Sequence, residues 1–87
     1  MKQNDIIQGL RGFIQTRFKI ADNDPDFNDD VHLFDYGYVD SFGAVELIAF
    51  VKKEYSVEVT NSDLIAYPLN TITEIGSFVG RRLKGEI

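Results

Sequence analysis

The chain has 87 residues, enough for one small domain, and we expect residues 1–87 to form a single unit. Its formal net charge of −5 argues against nucleic acid and anionic membranes as partners, because phosphate binding needs clustered lysine and arginine. The absence of cysteine excludes disulfides, thiolate metal sites and a cysteine nucleophile. Since no segment has the apolar run of a signal peptide or a membrane span, we expect a cytoplasmic protein without stable membrane insertion.

The first predicted element is an amphipathic helix over residues 5–19, capped by Asn4 or Asp5. Its apolar residues recur at spacings of three and four: Ile6, Ile7, Leu10, Phe13, Ile14 and Phe18. Residues 21–40 break this periodicity with a polar run that contains a proline, and they predict a long loop. Gly37 is expected to supply a turn there. The residues expected to anchor this loop are Val31, Leu33 and Phe34.

The second predicted helix covers residues 41–55, with Asp40 as its N-cap. At about 100° per residue, one apolar stripe suits the core: Ala44, Leu47, Ile48, Val51 and Tyr55. A second stripe lies roughly 140° away, and we call it the apolar strip: Phe42, Val45 and Ala49. Either this helix is sunk deep in the core, or the strip is partly exposed and available to partner proteins. Glu46, Lys52 and Lys53 would then form its rim.

The remaining residues predict an extended stretch with Val57 and Val59 and a third helix over about 61–66. Thr60 or Asn61 starts that helix, which stops before a proline. A capping box, Thr-x-x-Glu at residues 71–74, opens a last helix. Its apolar residues are Ile72, Ile75, Phe78, Val79 and Leu83. The expected fold class is all-α, a four-helix bundle with three longer helices, a short third helix and a long first loop.

Ser41 stands at the start of the second predicted helix, and it could be a cap, a nucleophile or an attachment point. A nucleophile elbow needs Gly-x-Ser-x-Gly after a strand, but Val39 occupies the first of these places and no strand precedes it. The sole histidine, His32, lies in the loop, and without a base the hydroxyl stays weakly nucleophilic. If Asp40 is the cap, Ser41 is the first helical residue. Unpaired N–H groups and the helix dipole favour a phosphodiester there.

The acidic part of the loop has the opening spacing of a calcium site but lacks its later residues. Asp22, Asp24 and Asp26 are spaced like the opening of an EF-hand calcium loop. That loop needs glycine at its sixth position and glutamate at its twelfth, whereas Phe27 and Leu33 occupy these places. We therefore expect a solvated acidic loop and no metal site.

The segment DYGYVDSFGAVELIAFVKKEYSVEV resembles the acyl carrier proteins, which present an Asp-Ser-Leu-like motif at the start of their second helix. The similarity in helix order extends over nearly the whole chain, and its specific part runs from about Leu33 to Asp63. The resemblance implies that Ser41 receives 4′-phosphopantetheine from coenzyme A through a Mg-dependent phosphopantetheinyl transferase. The chain would be a carrier and not an enzyme, and the thiol of its arm would hold acyl or aminoacyl groups as thioesters.

The resemblance also implies partners and a surface that binds them. Expected partners are the phosphopantetheinyl transferase, an acyl- or aminoacyl-loading ligase and a downstream acyltransferase, which act on a monomer. Asp40 would belong to the attachment site. The expected partner-binding residues beside Ser41 are Phe42, Val45, Glu46 and Ala49.

Three features depart from the common fatty-acid carriers. Phe42 replaces the more usual leucine, Gly43 occupies a commonly acidic place, and Lys52 and Lys53 interrupt an acidic surface. The stretch VDSFGAVEL is closer to D-alanyl carrier proteins and to carriers of other specialised pathways. The alternative from another functional class is a helical interaction module that is never modified, in which Ser41 merely extends the cap.

Overall fold

The computed structural model describes residues 2–87, which form four α-helices and, within that range, no β-strand. The helices are α1 (Gln3–Arg17), α2 (Ser41–Tyr55), α3 (Asn61–Ala66) and α4 (Ile72–Leu83). The predicted all-α fold, with three longer helices, a short third helix and a long first loop, is confirmed. Within the described part of the chain, no helix is both long and apolar enough to cross a membrane.

The start of α1 differs from the prediction of a helix over 5–19. Its N-cap is Lys2, whose side chain makes no capping hydrogen bond, so the expected caps Asn4 and Asp5 are wrong. The backbone explains the difference, because the N–H of Ile6 donates to the carbonyl of Lys2 at 3.2 Å and already closes a helical turn. Asn4 and Asp5 therefore lie inside the first turn. The carboxylate of Asp5 is still stabilised there by the positive end of the helix dipole.

The end of α1 also comes two residues before the predicted one. Lys19 adopts the left-handed conformation, with φ of 56°, and the N–H of Ile20 donates to the carbonyl of Gln15 at 3.0 Å. This is the Schellman arrangement that ends many helices, here with lysine at the position that usually holds glycine. The chain consequently turns away at Phe18, whose side chain comes to lie against α2.

α1 and α4 are the most extensively packed pair of helices, and they run antiparallel. A β-carbon on Gly76 would collide with Cδ1 of Ile7, and one on Gly80 would collide with the side chain of Gln3, so glycine permits the close approach. Leu83, almost one turn beyond Gly80, lies past the start of α1 and is 45% exposed. Among the apolar residues that the sequence places on the last helix, Leu83 thus stays outside the core. The buried apolar residues are Ile6, Leu10, Ile14, Val31, Leu33, Val39, Leu47, Val51, Tyr55, Val57, Ile72, Ile75, Phe78 and Val79.

The loop between α1 and α2 is anchored in this core by the residues that the sequence predicts. Val31 and Leu33 are buried, and Phe34 is partly buried against the core. Val39, just before α2, is also buried, which the sequence analysis did not predict. The N–H of Leu33 donates to the carbonyl of Asn70 at 2.9 Å, which ties the loop to the connection before α4. The segment that leads into α2 is thus held on both sides.

Polar contacts fix the middle of the same loop. Arg11 donates two hydrogen bonds to the carboxylate of Asp29, from Nε at 2.8 Å and from Nη2 at 2.6 Å. This hydrogen bonding to Asp29 raises the pKa of Arg11. The backbone carbonyl of Asp29 accepts from the N–H of Thr73 at 3.0 Å, so one residue joins the loop to both α1 and α4. Gly37, with φ of 77°, supplies the expected turn.

α3 occupies the predicted residues 61–66 and carries a capping box that the sequence analysis did not single out. Oγ1 of Thr60 accepts from the N–H of Asp63 at 3.1 Å, and the Asp63 carboxylate accepts from the N–H of Thr60 at 3.0 Å. Asp63 also accepts from Nη2 of Arg82 at 2.9 Å, which links α3 to α4. The backbone hydrogen bond from Thr60, followed by the hydrogen bond from Arg82, lowers the pKa of Asp63.

The connections on either side of α3 also agree with the sequence-based expectations. Val57 is buried in the stretch before α3, and Val59 is partly buried beside it. At the start of α4, Oγ1 of Thr71 accepts from the N–H of Glu74 at 3.0 Å, and the Glu74 carboxylate accepts from the N–H of Thr71 at 3.1 Å. The predicted capping box of α4 is therefore confirmed.

Candidate functional site

The first turn of α2 is set by Asp40. Its side chain accepts a hydrogen bond from the N–H of Gly43 at 2.7 Å, and its carbonyl accepts from the N–H of Ala44 at 2.8 Å. Asp40 is thus the N-cap, as predicted, and Ser41 is the first residue of the helix. The cap also explains why α2 begins at this residue, since it satisfies one of the backbone donors that a helix start leaves unpaired.

Ser41 presents its side chain to solvent at the end of this helix. Its hydroxyl has no hydrogen-bond partner among residues 2–87, and the backbone N–H groups of Ser41 and Phe42 have no acceptor there. Two unpaired donors and the positive end of the helix dipole therefore surround an accessible hydroxyl. Such an arrangement favours a negatively charged group attached to that oxygen.

The described residues provide no general base that contacts the Ser41 hydroxyl. Nδ1 of His32 accepts from the backbone N–H of Asp35 at 3.0 Å, which engages that nitrogen within the loop. The hydroxyl of Tyr38 donates to Oδ1 of Asp24 at 3.0 Å, and burial together with this hydrogen bond raises the pKa of Tyr38 to about 12. Tyr38 therefore stays protonated near neutral pH. Activation of Ser41 as a nucleophile needs a group from another molecule.

In the acidic loop, Asp22 and Asp26 are exposed, whereas the carboxylate of Asp24 is engaged within the chain. Oδ1 of Asp24 accepts from the N–H of Asp26 at 2.9 Å as well as from Tyr38. Within residues 2–87, no three histidine or carboxylate side chains are grouped so that they could hold a metal ion.

The two apolar stripes of α2 have different surroundings. In the core stripe Leu47, Val51 and Tyr55 are buried, whereas in the apolar strip Phe42 is 82% exposed and Val45 is 66% exposed. Ala49, the third member of the strip, is exposed as well. The interpretation of α2 as a helix sunk in the core on both faces is therefore wrong. An unpartnered apolar surface begins directly beside Ser41.

Comparison with protein families identifies the group to which this arrangement belongs. The family model of the phosphopantetheine attachment site matches residues 8–79, which include α2 and α3 in full. The chain belongs to this family. It is thus a phosphopantetheine-carrying carrier protein, and members of the family bear 4′-phosphopantetheine as a covalent group. No curated protein of known function matches the chain closely enough to count as a relative.

The glycine that follows the carrier's Asp-Ser-Phe motif has a packing role. A β-carbon on Gly43 would lie 2.7 Å from Cε1 of Phe18 and 3.0 Å from Cγ1 of Val39. The end of α1 therefore lies directly over the first turn of α2, and a side chain at residue 43 would push it away. In the sequence this glycine is visible as a departure from the common carriers, but its packing role is not. The only signal in the sequence was the apolar spacing that includes Phe18.

Glu46, which the sequence analysis placed beside the apolar strip, forms an ion pair within the carrier. Its carboxylate contacts Nε of Arg17, the last residue of α1, and both side chains remain partly exposed, at 38% and 52%. Arg17 also lies 6.0 Å from the ring centroid of Phe18. No sequence pattern indicated this pairing, because it depends on how α1 crosses α2.

The two lysines at the other end of the strip differ from each other. Nζ of Lys52 lies 3.5 Å from the carboxylate of Glu58, in a highly exposed pair. Lys53 is exposed and has no carboxylate partner among residues 2–87. The side of α2 that carries the apolar strip therefore has this cation at its far end, while the exposed Glu54 lies on the side that faces α1.

A small apolar cavity lies behind α2. Its volume is about 50 Å³, and side chains from α2, α3, α4 and each of the three connections between the helices line it. The lining residues are Phe34, Ala44, Leu47, Ile48, Val51, Val59, Leu64, Leu69, Ile75 and Phe78. The cavity was not predicted, because it depends on imperfect packing between elements distant in the sequence. A cavity of this size is much smaller than one of about 150 Å³, which holds benzene.

Proposed function

We propose that the chain, residues 1–87 as one unit, is an acyl carrier protein in which Ser41 carries the 4′-phosphopantetheine. The thiol of that group holds acyl or aminoacyl groups as thioesters for delivery between enzymes. The observation that supports this assignment best is the environment of Ser41, which combines an exposed hydroxyl with two unpaired N–H groups at a helix start. The described residues fit the group that the family carries.

The other serines suit a phosphodiester less well. Ser56 lies at the C-terminal end of α2, where the helix dipole disfavours an anion. Ser62 lies in α3, which has only six residues, and Ser77 lies in the interior of α4, where its N–H belongs to the helix. Among the four serines of the chain, Ser41 is thus the best attachment point.

The chain contributes to its own modification by holding the Ser41 hydroxyl in position. Asp40 fixes the first turn of α2 through Gly43, so that the hydroxyl of Ser41 projects from a rigid helix end. The N–H groups of Ser41 and Phe42, which have no acceptor among residues 2–87, would be the donors available to the phosphodiester oxygens. The phosphopantetheinyl transferase, with its magnesium ion, would bind coenzyme A and provide the base. The Ser41 oxygen would form a bond to the phosphorus next to the pantetheine as the pyrophosphate bond breaks, the hydroxyl proton would pass to that base, and adenosine 3′,5′-bisphosphate would leave. The carrier itself performs no catalysis.

The exposed surface of α2 is the proposed contact for the transferase, for a loading ligase and for a downstream acyltransferase. Any enzyme that reaches Ser41 meets Phe42 and Val45 first, and Ala49 continues the same surface. Glu46 borders this surface together with its partner Arg17. Apolar side chains at the centre of a surface with charged residues around it are typical of protein interfaces.

The cargo that we propose is a short acyl or aminoacyl group, as in D-alanylation or another specialised pathway. The cavity of about 50 Å³ behind α2 is too small to enclose a long acyl chain without displacement of α3. The departures at Phe42 and Gly43 from the common fatty-acid motif support the same conclusion.

Intact-mass measurement tests the proposal. The protein is co-expressed with a broad-specificity phosphopantetheinyl transferase, and we expect the mass to rise by one phosphopantetheine group. The Ser41→Ala variant should stay unmodified, whereas the control Ser62→Ala should be modified like the wild type. If Ser41→Ala is still modified, the attachment site is wrong. If the wild type is not modified, the proposal fails, and the exposed apolar strip is better explained by a protein-interaction module that carries no phosphopantetheine.

A further inference from the structure

Acidic and basic residues are unevenly placed along the exposed side of α2. By helical spacing, Glu46 and Lys53 share that side with the apolar strip. Glu46 is the only acidic residue between Ser41 and Lys53, so it is the only carboxylate along the apolar strip itself; Asp40 lies before the strip, where its side chain caps α2. The electrostatic attraction that an enzyme meets there depends on how far a positive charge nearby neutralises Glu46.

Arg17 compensates it from another helix. The ion pair joins the end of α1 to α2, and Phe18 holds that end of α1 in place by packing on Gly43. Arg17 is itself about half exposed, so its positive charge also forms part of the surface. Lys52 is paired with Glu58, and Lys53 lacks a partner among residues 2–87, whereas the exposed Glu54 lies on the side of α2 that faces α1. Along the apolar strip, the charge of Glu46 is therefore offset by Arg17, and the charge of Lys53 is not offset.

This charge distribution discriminates between partners. An enzyme with a basic rim has to displace Arg17 from Glu46 and also approaches Lys53, and both effects oppose binding. An enzyme with carboxylates at its rim meets Arg17 and Lys53 without breaking the pair. Because a partly exposed ion pair contributes little to folding, its loss changes the surface more than the fold.

We propose that Arg17 is a specificity-determining residue of the carrier, which by pairing with Glu46 disfavours enzymes with a basic rim and selects enzymes with an acidic one. This inference rests on the proposed function, because it assumes that enzymes approach Ser41 along the apolar strip. Arg17 contacts neither the attached group nor the reacting atoms. It acts through the charge of Glu46.

The test uses a phosphopantetheinyl transferase whose docking surface is basic, with coenzyme A as its substrate. The kcat/KM of modification is measured for the wild type, Arg17→Gln, Glu46→Gln and the double variant. Arg81→Gln is the matched control, because Arg81 is paired with Glu86 at a similar exposure, 50% and 52%, on α4. We expect Arg17→Gln to raise kcat/KM about two- to fivefold at low salt, the range of an exposed ion pair. The gain should disappear at high salt.

Two comparisons decide the outcome. The gain should be lost in the double variant, since it requires the unmasked carboxylate of Glu46, and Arg81→Gln should behave like the wild type. An unchanged kcat/KM in Arg17→Gln overturns the proposal, as does an equal gain in the double variant or in Arg81→Gln. These results are distinguishable from a failure of the proposed function, in which this transferase and the broad-specificity one modify no variant at all, the wild type included.

Discussion

Phe18 and Gly43 meet at the crossing of α1 and α2, where a β-carbon on the glycine would lie 2.7 Å from Cε1 of the phenylalanine. The contact places the end of α1 over the first turn of the helix that begins at Ser41. It also brings Arg17 within reach of Glu46. This one close approach thus fixes the end of α1 over the start of α2, and it places the positive charge of Arg17 beside the apolar strip.

Two glycine substitutions test this contact. Gly43→Ala should lower the free energy of unfolding by about 1–2 kcal/mol, because the added methyl group overpacks the space between Phe18 and Val39. Gly12→Ala is the control, since Gly12 is exposed in α1 and its added β-carbon would meet nothing within 4 Å. That change should raise stability by about 0.5–1 kcal/mol through helix propensity. Urea unfolding measures both. Equal stabilisation by the two changes would show that Phe18 moves aside freely.

The cap of α2 separates stability from recognition. Asp40→Ala should lose about 1 kcal/mol of stability, because the N–H of Gly43 loses its acceptor. Asp40→Asn should keep most of that stability, since asparagine is a comparable cap. If the carboxylate also contacts basic groups of the transferase, Asp40→Asn should be modified more slowly. Thermal unfolding and the rate of pantetheine transfer measure the two effects. Equal rates for Asn and Asp would exclude a role of the charge in recognition.

The apolar strip should tolerate a charge without loss of the fold. Val45 is 66% exposed, so Val45→Asp should change stability by no more than about 0.5 kcal/mol while it weakens modification and loading. Leu47→Ala, on the buried side of the same helix, should cost about 2–5 kcal/mol. Urea unfolding and transfer kinetics measure the pair. A large loss of stability in Val45→Asp would contradict the assignment of this strip to partner binding.

The link between α3 and α4 predicts a response to acid. The pKa of Asp63 in the folded protein is lowered from its ordinary value of 3.8. A carboxylate with a lowered folded pKa stabilises the fold above its unfolded pKa, and this contribution is lost as the pH falls through the folded value. Stability of the wild type should therefore fall below about pH 4, more steeply than that of Asp63→Asn. Urea unfolding between about pH 5 and 2 measures it, and parallel curves would contradict the prediction.

Sequence reasoning worked where structure is decided locally. α2 and α3 have the predicted bounds because Asp40 and Thr60 cap them through residues three positions away. α1 was misplaced by two residues at each end, since Lys2 offers no side-chain cap and Lys19 takes a conformation usually left to glycine. Neither signal is visible in composition or periodicity.

The contacts that needed tertiary structure were not predictable from the sequence. The helical count separated the two apolar stripes of α2, because both follow from the period of one helix, but it left open whether the apolar strip is buried or exposed. It could not show that Arg17 reaches Glu46, which depends on the angle between two helices. It also could not show the cavity behind α2, which depends on how several elements fail to fill the same space.

The anchored loop before α2 has a consequence for the reach of a carrier. Val39 is buried immediately before the cap, and the N–H of Val39 donates to the carbonyl of Leu33 at 3.1 Å. Ser41 is therefore held in a fixed position. If the thiol is tethered there, as proposed, the volume that it can reach is set by the length of the tether and not by movement of the protein backbone. A short tether that begins at a fixed point keeps the effective concentration of that thiol in the active site of a docked enzyme at about the millimolar level.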